Sequence, residues 1–188
     1  MNQVKVQLDI SRPNTQTLSV TISWQPSSLE QSIIIPKWTP GSYKIRDYAQ
    51  NIYGMNLYQK KEKISLERRE TNLWAAKLEN REELKLVYKV KCVDFTVRNC
   101  FIDDEICSLC LSGAICMIQE RRFAKYLLEI LAVPKCEVHV PLPKEYYYLA
   151  TSYDHLVDSP VHSGSLTKFN LSVRKFKHLL LVSGTDSY

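Results

Sequence analysis

The stretch Leu84-Lys85-Leu86-Val87-Tyr88-Lys89-Val90-Lys91-Cys92 decides the fold class. Leu84, Leu86, Tyr88, Val90 and Cys92 alternate with Lys85, Val87, Lys89 and Lys91. A two-residue period is what a strand with one dry and one wet face requires, because successive side chains leave the backbone on opposite sides. The same period recurs in Val4, Val6, Leu8 and Ile10 and in Leu18, Val20, Ile22 and Trp24, with Arg12-Pro13-Asn14 reading as the turn between them. Further extended segments are expected at residues 32–35, 52–58, 64–69, 73–78, 137–140, 147–151, 168–173 and 178–183, and around Ile106, Leu109 and Leu111. Phe123, Tyr126, Leu127, Ile130 and Leu131 recur at helical spacing while also permitting a strand, and one short helix is expected there. About a dozen short strands and at most one short helix predict a mainly β protein, an antiparallel β-sandwich.

A chain of 188 residues with 45% hydrophobic content can form one substantial domain, burying about 70% of the surface that its unfolded form exposes. Residues 1–188 are read as that single β domain, with no internal repeat or flexible linker. The net charge of +5 arises from 25 basic and 20 acidic side chains mixed along the chain. That mixing predicts a patchwork surface, without the concentrated stripe of a nucleic-acid binder. The segment Met1-Asn2-Gln3-Val4-Lys5 is not the apolar run of a signal peptide, and no stretch reaches the roughly 18 apolar residues of a membrane span. A cytoplasmic location without membrane contact is the expectation.

Outside the strands, Pro36-Lys37-Trp38-Thr39-Pro40-Gly41-Ser42-Tyr43-Lys44-Ile45-Arg46-Asp47-Tyr48 is the most distinctive segment. Pro40 presets the φ wanted at the second position of a tight turn, and Gly41 can take the positive φ of the third. Trp38 and Tyr43 flank that corner with large amphipathic rings, while the adjacent Arg46 and Asp47 must find separate partners. As chemistry alone, this is a structural turn capping a sheet.

The block Trp38-x-Pro40-Gly41-Ser42-Tyr43-x-x-Arg46-Asp47 closely resembles one near the start of the glycyl aminopeptidase family, the sixty-first family of metallopeptidases, in its amino-terminal non-catalytic domain. Asn51 and Ile52 continue that block, although Gln50 stands where many members have arginine. Trp74, the strand Tyr88 to Val90, Val97-Arg98 and Asp103-Asp104 also follow the family's order. Asp154, Leu156, Val157, Asp158, Ser159, Pro160 and Gly164 resemble its later Asp-x-Leu-Val-Asp-Ser-Pro element, and His178 falls where its closing strand begins. The resemblance covers nearly the whole chain and is weakest over residues 107–140.

Family members continue into a zinc-dependent catalytic domain carrying His-Glu-x-x-His on a helix, where two histidines one turn apart share the metal. None of His139, His155, His162 and His178 has that spacing. The resemblance therefore implies an amino-terminal domain without catalytic, cofactor-binding or metal residues, with zinc belonging to the missing catalytic domain. That domain is the expected partner, with a homo-oligomer as a further possibility. Trp38, Pro40, Gly41, Tyr43, Arg46, Asp47, Asp158, Ser159 and Pro160 are the expected interface or bracing residues. The alternative is a stand-alone β-sandwich module that binds a protein through residues 38–48.

Three other constellations were weighed against these. Cys107-x-x-Cys110 has metal-ligand spacing, but positions three apart on a strand face opposite sides, and Cys92, Cys100, Cys107, Cys110, Cys116 and Cys136 are expected as reduced, mostly buried thiols. Ser159 precedes Pro160 and has no Gly-x-Ser-x-Gly elbow, so Asp154, His155, Asp158 and His162 read as turn residues rather than parts of a serine triad. Tyr146, Tyr147 and Tyr148 alternate faces if extended and form no single aromatic platform.

Overall fold

A computed structural model describes residues 3–37, 44–96, 99–103, 106–121, 125–132, 137–139 and 167–171. Fourteen strands among them form three sheets. The largest has seven strands, in the order β14 (Thr167–Leu171), β12 (Lys125–Ala132), β1 (Gln3–Ile10), β2 (Thr17–Trp24), β8 (Leu84–Lys91), β4 (Ile52–Gln59) and β5 (Glu62–Ile64). The second joins β11 (Met117–Ile118), β3 (Glu30–Ile34), β7 (Leu73–Lys77) and β6 (Glu67–Glu70), and the third joins β13 (Glu137–His139), β10 (Ile106–Ser108) and β9 (Phe101–Ile102). Pairing is antiparallel except in β1–β12 and β10–β13, which are parallel.

The alternation read in the sequence is the alternation of burial. Val4, Val6, Leu8 and Ile10 of β1, Leu18, Val20, Ile22 and Trp24 of β2, and Leu84, Leu86, Tyr88 and Val90 of β8 are all buried. They meet Ile33 of β3, Trp74 and Ala76 of β7, and Ile102 and Cys107 of the third sheet in one hydrophobic core, as a sandwich requires. Each aliphatic side chain so buried contributes about 1.5–3 kcal/mol before the cost of ordering it.

Hydrogen bonds tie the layers together at polar points within that core. Trp24 Nε1 on β2 donates to Gln31 Oε1 on β3 at 3.0 Å, and Gln31 Nε2 donates onward to the Ser28 carbonyl at 2.7 Å. The Tyr88 hydroxyl on β8 donates to the Ala114 carbonyl at 2.8 Å and accepts from the Cys116 N–H at 2.9 Å. The Tyr126 hydroxyl on β12 accepts from the Ile118 N–H at 3.2 Å. Two tyrosines of the large sheet thus hold the segment that leads into β11 of the second sheet.

Three local expectations differ from the structure. Residues 125–132 form strand β12 rather than a short helix, because the full length of β1 pairs with them from Gln3↔Lys125 to Ile10↔Ala132. The strand expected around Ile106, Leu109 and Leu111 is present as β10, Ile106–Ser108, but ends before Leu109, and the short helix lies at α1 (Leu111–Ala114). The expected strand at 64–69 is two strands, β5 and β6, which end in different sheets.

Candidate functional site

The described flanks of the Trp38 segment are tightly framed. Beyond the last residue of β3, the Ile35 N–H donates to the Asn72 carbonyl at 3.0 Å, and the buried Asn72 Nδ2 donates back to the Ile35 carbonyl at 2.8 Å. The Arg46 N–H then donates to the Lys37 carbonyl at 2.5 Å, joining the two flanks. The Tyr48 N–H bonds to the Arg46 carbonyl at 2.8 Å, and a 3-10 turn over Tyr48–Asn51 carries the chain into β4.

Arg46 is half-buried and Asp47 exposed, so the adjacent charges do face different environments. Tyr48 and Ala49 are buried. The Tyr48 ring lies so close to Gly113 of α1 that a Cβ there would stand 2.8 Å from Cδ1 and 3.0 Å from Cε1. Glycine is needed at 113 for this approach, whatever its backbone angles. The contact fixes the end of the motif onto the helical turn.

A groove of about 180 Å³ runs beside this segment, lined by Lys44, Arg46, Asp47, Asn51, Asp94 and Asn99 among others. Its lining is mainly polar and of mixed charge, a surface suited to hydrogen-bonded contact rather than to enclosing an apolar ligand. Two large apolar side chains stand exposed at this end: Ile45 at 79% and Phe95 at 68%. Phe95 meets Phe101 edge-on, with centroids 4.9 Å apart.

The cysteines make a separate, buried group. Cys92, Cys100, Cys107 and Cys116 are buried, Cys110 is half-buried, and all five are free thiols. Cys100 Sγ donates to the Cys110 carbonyl at 3.5 Å, and Cys110 Sγ lies 3.3 Å from Ser112 Oγ. A hydrogen bond with Cys92 and burial raise the Cys100 pKa well above its ordinary value, and burial raises that of Cys110. Burial also pushes the Cys116 thiol from 9.0 up to about 12. Raised pKa values remove the thiolate that nucleophilic or metal chemistry needs. Cys107 sits in β10 and Cys110 just before α1, so their spacing is that of a strand end and a turn. Among the described residues there is no group of three or more His, Cys, Asp or Glu side chains that could hold a metal ion.

Of the residues expected at an interface, Arg46 and Asp47 are placed together at the groove. Trp38, Pro40, Gly41, Tyr43, Asp158, Ser159 and Pro160 lie outside the described residues, as do Cys136, Tyr146, Tyr147, Tyr148, Asp154, His155, His162 and His178. Sequence reasoning did not identify Asn72, Gly113 or Glu120 as framing residues. Glu120 accepts bonds from the Ser27 and Ser28 N–H groups at 3.0 and 2.8 Å and from Ser27 Oγ at 2.9 Å, pinning the β2–β3 turn. A polar residue closing a turn from 90 positions away leaves no local signal.

The model of the Peptidase M61 N-terminal domain family matches residues 5–165. The chain belongs to that family. Among solved structures, the domain is similar to an aminopeptidase N family protein from Idiomarina loihiensis, with a TM-score of 0.68 and 16% identity over 94% of this chain and 28% of that one. An M1 zinc metallopeptidase from Deinococcus radiodurans is more distant, at 9% identity and a TM-score of 0.41 over 74% of this chain and 32% of its own. The first likeness concerns the fold, and the domain spans less than a third of that protein's length. No curated protein matches the chain. Among the described residues no helix is long and apolar enough to cross a membrane.

Proposed function

We propose that this chain is the non-catalytic amino-terminal domain of a cytoplasmic zinc-dependent aminopeptidase. In this reading it scaffolds a catalytic domain that supplies the metal and the general base, and it forms one wall of the substrate cleft. The observation that carries the proposal is the family match over residues 5–165, on a chain whose β fold corresponds to 28% of an aminopeptidase N family protein. The groove beside Arg46 and Asp47, with Ile45 and Phe95 exposed next to it, supports that end as the docking surface, because exposed apolar groups rimmed by polar ones mark association sites.

The test is to mix the purified 188-residue chain with an isolated catalytic domain of the same metallopeptidase family, following complex formation by light scattering and turnover with an aminoacyl anilide. The chain alone is expected to bind no zinc and turn over no substrate. The mixture is expected to form a complex that Ile45→Asp with Phe95→Asp weakens. Zinc-dependent turnover by the chain alone, or no association with the catalytic domain, would overturn the proposal.

The same two exposed side chains favour a second reading, a stand-alone module that uses this end for another protein or for a second copy of itself. Self-association abolished by the Ile45→Asp and Phe95→Asp pair, with no affinity for the catalytic domain, would select it.

A further inference from the structure

The lysines that looked scattered in the sequence are gathered by strand register onto the solvent face of the seven-stranded sheet. One continuous row across it reads Lys5–Ser23–Lys85–Tyr58–Lys63, from β1 through β2, β8 and β4 to β5. The next row on the same face, Gln7–Thr21–Val87–Asn56, is uncharged, and the rows beyond it pair Asp9 with Ser19, Lys89 and Tyr53, and Thr17 with Lys91. Lys5, Lys63, Lys85, Lys89 and Lys91 are exposed, and among the described residues none of the five is ion-paired. On these five strands Asp9 is the one acid of that face, its Oδ1 already accepting from the Ser11 N–H at 2.8 Å, and on the neighbouring β12 Glu129 stands in register with Gln7. Strands lie about 4.8 Å apart, so lysines two strands apart in a row stand roughly 10 Å from each other, and Lys89 and Lys91 roughly 7 Å along β8. Ser19, Thr21 and Ser23 place hydroxyl donors between them.

We propose that this face binds an acidic polypeptide segment, a partner rich in Asp and Glu. Five unneutralised ammonium groups give the attraction, and the hydroxyls of β2 supply hydrogen bonds to carboxylates. Beyond Val87 and the rings of Tyr53 and Tyr58 the face is polar, so association is governed by charge and is sensitive to salt. Carboxylates are favoured over nucleic acid because these strands present no arginine fork there. A single-strand platform uses arginines and free aromatic faces for stacking. This inference stands apart from the docking of a catalytic domain, which uses the groove by Arg46 and Asp47.

The experiment is fluorescence anisotropy of labelled poly-L-glutamate titrated with the 188-residue chain. Binding is expected at low ionic strength and loss of it by about 0.5 M NaCl. Lys85→Gln with Lys89→Gln and Lys91→Gln is expected to weaken binding about tenfold, and Lys5→Gln with Lys63→Gln to weaken it by a smaller factor, both without a change in melting temperature. Arg69→Gln with Lys77→Gln and Arg81→Gln removes as much charge away from the face and is expected to leave affinity within about twofold. Equal weakening by that control, no binding at low salt, or tighter binding of a single-stranded oligonucleotide of matched charge would each overturn the proposal.

Discussion

The contact between Tyr48 and Gly113 shows how much of the framing rests on single atoms. Tyr48 ends the Arg46-Asp47-Tyr48 stretch, and its buried ring leaves no room for a side chain at 113. Gly113→Ala is therefore expected to destabilise the domain by about 1–3 kcal/mol, the usual range for overpacking a closed site. Urea unfolding measures this, and a Tyr48→Leu background is expected to reduce the loss because the two positions are in direct contact. An unchanged unfolding midpoint for Gly113→Ala would contradict the described packing. In the sequence, Tyr48 was visible as part of a motif and Gly113 was not, since a glycine chosen for close approach resembles one chosen for a turn.

Among the elements, strands whose two faces differ chemically were legible, and those buried through long-range pairing were not. β1, β2 and β8 follow the alternation that announced them, residue for residue. β12 reads equally as helix or strand, and only its register with β1, more than 100 residues away, decides the matter. Register also explains why the lysines form one face: composition reports charge, but only pairing places Lys5 and Lys63 in the row of Lys85. The hydroxyl of Tyr88 bridging Ala114 and Cys116 was equally hidden, since in the sequence it is one more large residue on the dry side of a strand. Tyr88→Phe leaves a buried carbonyl and a buried N–H without that partner, and an expected loss of about 2–3 kcal/mol follows. Tyr126→Phe, which removes the acceptor of the Ile118 N–H, is expected to cost about 1–2 kcal/mol. Thermal or chemical melts of both variants measure these losses, and an unchanged midpoint for Tyr88→Phe would remove the bridge from its structural role.

For the whole molecule, buried thiols and phenols make stability depend on alkaline pH. Burial lifts the Cys116 thiol to about 12 from 9.0, Cys100 and Cys110 move in the same direction, and burial followed by the Cys116 charge raises Tyr88 well above 10.0. The unfolded chain releases these protons first, so above about pH 9 the folded state binds more protons than the unfolded one and stability falls. For Cys116 the contribution is complete below about pH 9 and is lost as pH rises toward 12. Each such thiol contributes a slope of about 1.4 kcal/mol per pH unit in that window. Melting under reducing conditions from pH 7 to 11 is expected to show this decline, with a shallower slope in Cys116→Val. A flat profile would contradict the burial of these groups.

The parallel seam between β1 and β12 gives the order of biosynthesis a role. Antiparallel β2 flanks β1 almost as soon as both are made, but the opposite rim of β1 can be zipped only when residues 125–132 emerge from the ribosome. Until then this rim of β1, inside the largest sheet of the finished fold, stands open, and the nascent polypeptide is exposed there to misassociation and chaperone capture.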